Sequence, residues 1–246
     1  MNRPLQSIES PTCITKAILL LLLLCAIVEA QDTTPISALE VRYRKKIFKN
    51  DEFSVYLLEI PPNHASAMHR HDTDLLSIFV SGGETRSTIY NKPPKKDTFF
   101  TGEVRFRPAG FTHSTENIGA TMFRSVILEF NSSMGVIQST KPSDSHYCNP
   151  DSGTACVDEK YLFCTAKFCV QELSIAPGAI WHNIEYASDQ LLVAVSDYKL
   201  SYKPKGKAAI VRKRKSGEVE YFRRGAARQW RNVAIEPAHI IAVIFR

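Results

Sequence analysis

Glycine and proline are sparse, 11 and 13 residues among 246, so the chain is neither collagen-like nor of low complexity. Beyond the first thirty residues no apolar run approaches the roughly 20 residues that cross a bilayer as a helix. No long amphipathic helical pattern stands out. Charge of one sign is lacking too: 31 Lys and Arg face 25 Asp and Glu, a net of +6, well short of a histone-like tail. Aromatic residues do not interleave with the basic ones, so nucleic acid is not an expected partner. No side chain offers itself as an unambiguous general acid, base or nucleophile.

What is present suffices for a buried core, with 44% hydrophobic and 23% charged residues. The length suits one or two domains. Residues 160–246 hold 15 Lys and Arg against 7 Asp and Glu, a net of +8, while the remainder carries −2. That asymmetry suggests two domains.

Residues 1–30 read as a signal peptide. Arg3 and Lys16 precede the apolar run Ala17 to Val28, about a dozen residues, which fits the ~7–15 of a leader core. Val28-Glu29-Ala30 supplies a cleavage site before Gln31, with an uncleaved anchor as the alternative. Cys25 follows Leu24, a poor match to a lipoprotein site. The expected location is secreted or periplasmic, with no membrane span after cleavage.

Of six cysteines, Cys13 and Cys25 leave with the leader, and Cys148, Cys156, Cys164 and Cys169 remain. Four thiols so close together in an oxidising compartment predict two disulfides, with local pairing (Cys148–Cys156, Cys164–Cys169) preferred among three connectivities. A zinc site built from all four cysteines is the rival, but the spacings suit zinc knuckles poorly. The bridges would staple residues 133–159, a segment rich in turn-forming residues that reads as an interdomain linker.

The rest reads as strands. After a charged lead-in, Arg42 to Asp51, come Ser54 to Ile60, Leu75 to Val80, Ser87 to Tyr90, Glu103 to Phe106 and Arg124 to Phe130, each bounded by turn residues. Short strands at this spacing indicate a sandwich or a closed barrel. The pattern then repeats. Thr101-Gly102-Glu103-Val104-Arg105-Phe106 matches Ser216-Gly217-Glu218-Val219-Glu220-Tyr221, and Gly110 and Asn117 fall on Gly225 and Asn232. The constant offset predicts two copies of one β-domain, spanning residues 36–132 and 160–246.

Three histidines of the first copy carry the chemistry. His69 and His71 are two residues apart, so a strand points both rings the same way. Pro108 and Gly110 favour a turn that returns His113 toward them. Three converging neutral imidazoles would bind a divalent transition metal (Fe, Zn, Ni or Cu) with positions left open. His146 and His239 read as ordinary surface or core residues, and His64 as a contact behind the ligands.

Gly102, Pro108, Gly110, His113 and Asn117, with His69, His71 and Gly82, resemble the two motifs of the cupin superfamily. The resemblance covers most of residues 40–132 and, more faintly, 160–246. It implies an all-β chain of two tandem cupin-type double-stranded β-helix (jelly-roll) barrels, the first holding metal through His69, His71 and His113. Asn63 replaces a usual Gly, and Leu75 stands where the family places a Glu ligand. Three-His cupin sites are compatible with dioxygenase-like, lyase or isomerase chemistry. Asp74 could supply the fourth ligand through a bulge, and Glu116 a proton-transfer or supporting role.

The second copy reads as degenerate. Arg228 replaces His113, and Ile184 replaces one of the paired histidines, leaving His182. A guanidinium repels a cation, so Arg228 is a candidate for binding an anion. The run Arg212 to Lys215 reads as a solvated hairpin tip, with binding of an acidic surface as the alternative. Asn131-Ser132-Ser133 is a glycosylation sequon. Three functions fit: a metal-dependent enzyme acting on a small organic molecule; an exported small-ligand-binding protein whose second barrel supports a homodimer; or a metal-free structural protein, which the intact histidine set disfavours.

Overall fold

The structure, a computed structural model, describes residues 35–37, 41–149, 155–183, 187–203, 207–225 and 228–246. The leader expectation lies outside them. Segments rich in β-branched and aromatic residues, cut by Pro, Gly and Asn turns, form twenty strands and no helix among the described residues.

The first ten strands are β1 (Ile36–Ser37), β2 (Arg44–Lys49), β3 (Phe53–Ile60), β4 (His69–His71), β5 (Leu75–Ser81), β6 (Gly83–Ile89), β7 (Lys95–Phe99), β8 (Val104–Arg107), β9 (Phe111–Asn117) and β10 (Phe123–Phe130). They form two five-stranded sheets, β1-β4-β9-β6-β7 and β2-β3-β10-β5-β8. The second ten are β11 (Ser145–Cys148), β12 (Cys156–Cys164), β13 (Phe168–Ile175), β14 (Ile180–Asn183), β15 (Gln190–Ala194), β16 (Tyr198–Tyr202), β17 (Ile210–Arg214), β18 (Val219–Phe222), β19 (Arg228–Asn232) and β20 (Ala238–Phe245). Their sheets, β11-β12-β13-β20-β15-β18 and β14-β19-β16-β17, repeat the same order except that β11 is added and β1 has no counterpart.

The duplication is visible strand by strand: β3, β5, β6, β7, β8 and β10 begin 115 residues before β13, β15, β16, β17, β18 and β20. The same side-chain device recurs at that offset. Asn117 Nδ2 donates to the carbonyls of Ile60 and Thr121, both at 2.8 Å, and Asn232 Nδ2 donates to those of Ile175 and Glu236, both at 2.9 Å.

Alternation along the strands sorts side chains into three cores. On β10, Val126, Leu128 and Phe130 face away from the first barrel, while Ser125 and Ile127 face into it. The outward residues meet Phe168, Val170, Leu191, Val193, Ile241 and Val243 of the second barrel, so the two large sheets pack back to back. Phe53 stacks on Phe245 (centroids 4.9 Å apart, 11°) and Phe130 on Phe168 (5.3 Å, 17°). Residues 35–246 form one compact unit because this core is shared.

The packing is pseudo-symmetric. A Cβ on Gly102 would lie 2.6 Å from His239 Cε1, and one on Gly217 would lie 3.0 Å from Arg124 Nη2. Both pairs repeat at the same offset, and both glycines have φ near +87°, where a side chain is strained.

Three expectations change. The charged lead-in is strand β2, since Ile47 and Phe48 pack against the inter-barrel core. Strands β7 and β9 were not read from the sequence, because Lys95, Lys96 and the polar run of β9 lack an apolar alternation. Residues 133–159 include β11 and the start of β12, which pair with each other in the second barrel's sheet. Both disulfides join directly opposed residues of neighbouring strands, Cys148–Cys156 between β11 and β12 and Cys164–Cys169 between β12 and β13. The locally paired arrangement is the one found, and it leaves none of these four thiols for zinc.

Candidate metal centre

The short strand β4 buries His69 and His71 on one face and turns Arg70 outward. Antiparallel β9 lies beside it with His69 opposite His113 and His71 opposite Phe111. The turn before β9 depends on Gly110, whose φ of +92° suits glycine and whose N–H donates to the His71 carbonyl at 2.8 Å. The three ring centroids are 4.7 to 5.2 Å apart, and one nitrogen from each ring lies within 4.8 Å of the others.

Hydrogen bonds set two of the tautomers. His69 Nδ1 donates to the Ala67 carbonyl at 2.8 Å, and His71 Nδ1 donates to Glu129 Oε1 at 3.1 Å. Both Nε2 atoms are then lone-pair donors. His71 Nε2 lies 3.2 Å from His113 Nε2, while His113 Nδ1 is buried with no hydrogen-bond partner among the described residues. Two nitrogens each about 2.1 Å from a tetrahedral ion stand about 3.4 Å apart, so this spacing fits a shared cation. The donor set therefore fits a divalent transition metal.

Burial disfavours the charged forms of His69 and His113. It lowers His69 to about 4, helped by the nearby His71 and Arg44 charges and opposed by the Ala67 hydrogen bond. It lowers His113 to about 2, with His69, His71 and Arg107 adding to the effect. Neutral imidazole is the ligating form.

Sequence reasoning missed Glu129 and Arg44. Burial tends to raise the Glu129 carboxyl, but the His71 hydrogen bond and the Arg44 charge hold it below its ordinary value. Arg44 Nη2 reaches Glu129 Oε1 at 2.8 Å with both side chains largely buried, and its guanidinium lies 3.6 Å over the Tyr56 ring. The signal was present: Glu129 falls on the inward phase of β10, where the other residues are Phe123, Ser125 and Ile127.

The remaining candidates are not brought to the cluster. Asp74 is buried, but its carboxylate accepts from the backbone of Ala109 (2.8 Å) and Met134 (2.7 Å) and from Ser133 Oγ (3.3 Å). It ties two loops together rather than reaching the imidazoles. Glu116 alternates outward from His113 and pairs with Arg86 at 2.7 Å on the barrel exterior. His64 is exposed and bonded to the Pro62 carbonyl through Nδ1. Leu75, at the expected Glu position, lines a cavity of about 70 Å³ beside the histidines.

In the second barrel that space is filled. Trp230, at the position equivalent to the cavity-lining Thr115, is opposite Trp181 in register, and both indoles are buried in its core. His182 is exposed. Arg228 opens β19, but its side chain lies outside the described residues. Three of the four side chains of the basic run are paired: Arg212 and Arg214 reach Glu220 at 3.5 and 3.1 Å, and Lys215 reaches Asp197 at 2.6 Å.

No family model and no curated protein matches the sequence. Solved structures do. The AerE protein of Microcystis aeruginosa superposes with a TM-score of 0.54 at 13% identity, over 82% of this chain and 97% of its own. A cupin 2 conserved barrel domain protein from Leptotrichia buccalis gives 0.51 at 15% identity, over 87% and 92%. A structure concerned with the Mn(II) centers of Bacillus subtilis oxalate decarboxylase gives 0.50 at 12% identity, over 78% and 68%. At these identities the shared property is the fold.

Proposed function

Given a cupin fold carried twice in one chain, we infer that this protein binds one divalent transition metal through His69, His71 and His113. A small organic molecule is bound or converted in the adjoining cavity. The observation that carries this reading is the convergence of three ring nitrogens within 4.8 Å, two of them from rings anchored through Nδ1. A bound dication would supply Lewis-acid or redox chemistry at its open positions. Phe111, stacked on His71 at 4.8 Å, shields the cluster from water. An all-imidazole donor set with no carboxylate suits Fe, Zn, Ni or Cu better than Mn. The leader-like segment and the two disulfides support export into an oxidising compartment.

A binding protein is the second reading, favoured by a cavity wall that holds no carboxylate or thiol among the described residues. Metal analysis of the purified chain and of His113→Ala tests the first claim. Close to one metal per chain is expected in the wild type and almost none in the variant. A wild type that takes up neither Fe, Zn, Ni nor Cu overturns the reading. Oxygen consumption and turnover assays on the metal-loaded protein then separate enzyme from binder.

A further inference from the structure

The cavity beside the histidines is unbalanced in charge. Arg44, Arg105 and Arg107 line it and, among the described residues, no carboxylate does. Two of the three are neutralised from outside the cavity. Arg44 pairs with Glu129, and Arg105 pairs with Glu103 at 2.6 Å and lies 3.7 Å from Asp97. Arg107, half-buried on β8, has no hydrogen bond or ion pair among the described residues; its guanidinium lies 5.7 Å from the Phe111 ring centre. Burial and the neighbouring Arg105 disfavour its charge, and the more distant Asp97 offsets part of that. A half-buried guanidinium that makes no direct ion pair is left with donors to offer an anion entering the cavity.

The rest of the wall restricts which anion. The Phe111 ring lies 4.8 Å from that of His71 and 5.1 Å from that of His113, so a ligand held at Arg107 sits next to the imidazoles. Phe79, Phe99 and Phe123, with centroids 4.2 to 5.7 Å apart, make an apolar surface in the same cavity. About 70 Å³ holds a handful of water-sized volumes, which excludes sugars in chains, peptides and nucleotides. A planar guanidinium fork matches a carboxylate.

We propose that the cavity binds a small apolar monocarboxylate, with its carboxylate held by Arg107 and its apolar body against Phe111 and Leu75. The proposal rests on the reading of this cavity as the functional site. Its test is calorimetric titration of the chelator-treated, metal-free chain with acetate and propionate and with their neutral amides, acetamide and propionamide. The wild type should bind the acids at least tenfold more tightly than the amides. Arg107→Gln should abolish that preference, and Arg107→Lys should restore part of it. Amides that bind as well as acids, an unchanged preference in Arg107→Gln, or no acid binding to the wild type overturns the proposal. Failure of metal uptake with the acid preference intact would remove only the metal reading.

Discussion

Glu129 Oε1 lies 3.1 Å from His71 Nδ1, and the strand carrying Glu129 sets it in register with Leu75, the position where a carboxylate ligand was expected. The carboxylate of this site thus stands behind an imidazole instead of beside it. It fixes the His71 tautomer and makes Nε2 a better electron-pair donor, while the cavity side is left to Leu75.

Replacing Glu129 by Gln should therefore weaken metal binding without removing a ligand. A loss of about 10- to 100-fold in affinity is expected from such an outer contact. Because Arg44 would lose its buried partner, stability should fall by about 3–5 kcal/mol. Competition with a metal indicator and urea unfolding measure the two effects. Unchanged affinity would show that the His71–Glu129 contact does not tune the site.

Asp74→Asn should behave in the opposite way. Its carboxylate serves the backbone of Ala109 and Met134, so stability should drop by about 1–3 kcal/mol while metal content stays at the wild-type level. A folded variant that has lost its metal would return Asp74 to the ligand set.

The metal-free chain should lose stability as pH falls from 7 to 5. In the unfolded chain His69 and His113 take up protons near 6.5, but in the fold they stay neutral down to about 4 and about 2. Protons then favour the unfolded state below 6.5, by up to about 1.4 kcal/mol per pH unit for each ring. Carboxylates with lowered values, such as Asp189 and Asp197, act only below about 3.8 and leave this window clear. Thermal unfolding after chelation follows the effect, and His113→Ala should flatten the slope.

Gly102→Ala should destabilise the contact between the barrels by about 1–3 kcal/mol, through the positive φ and the approach of His239. Adding His239→Ala should recover the steric part and leave the backbone part. Equal stability of the single and double variants would mean that the His239 ring simply moves aside.

Much of this was legible in the residues themselves. The alternation of Leu75 to Val80 and of Arg124 to Phe130, the constant offset between the copies and the His-x-His pair all report on local geometry, and each lies close to its structural counterpart. Strands β7 and β9 were less legible, because a strand wetted on one face and lining a cavity on the other carries no apolar stripe. Glu129 and Arg44 were invisible as a pair, since 85 residues separate them and only the pairing of β2, β3 and β10 joins them.

Periodicity and turn residues, which act over a few positions, determined that the chain is all-β, that it is duplicated, and that two imidazoles of one strand share a face. Packing across distant strands decided the rest: that Trp230 fills one barrel while Thr115 leaves space in the other, that Asp74 serves backbone amides rather than an ion, and that Arg107 faces the cavity with no direct ion pair among the described residues. Those outcomes depend on which side chains share an enclosed volume, a quantity that no local stretch of residues contains.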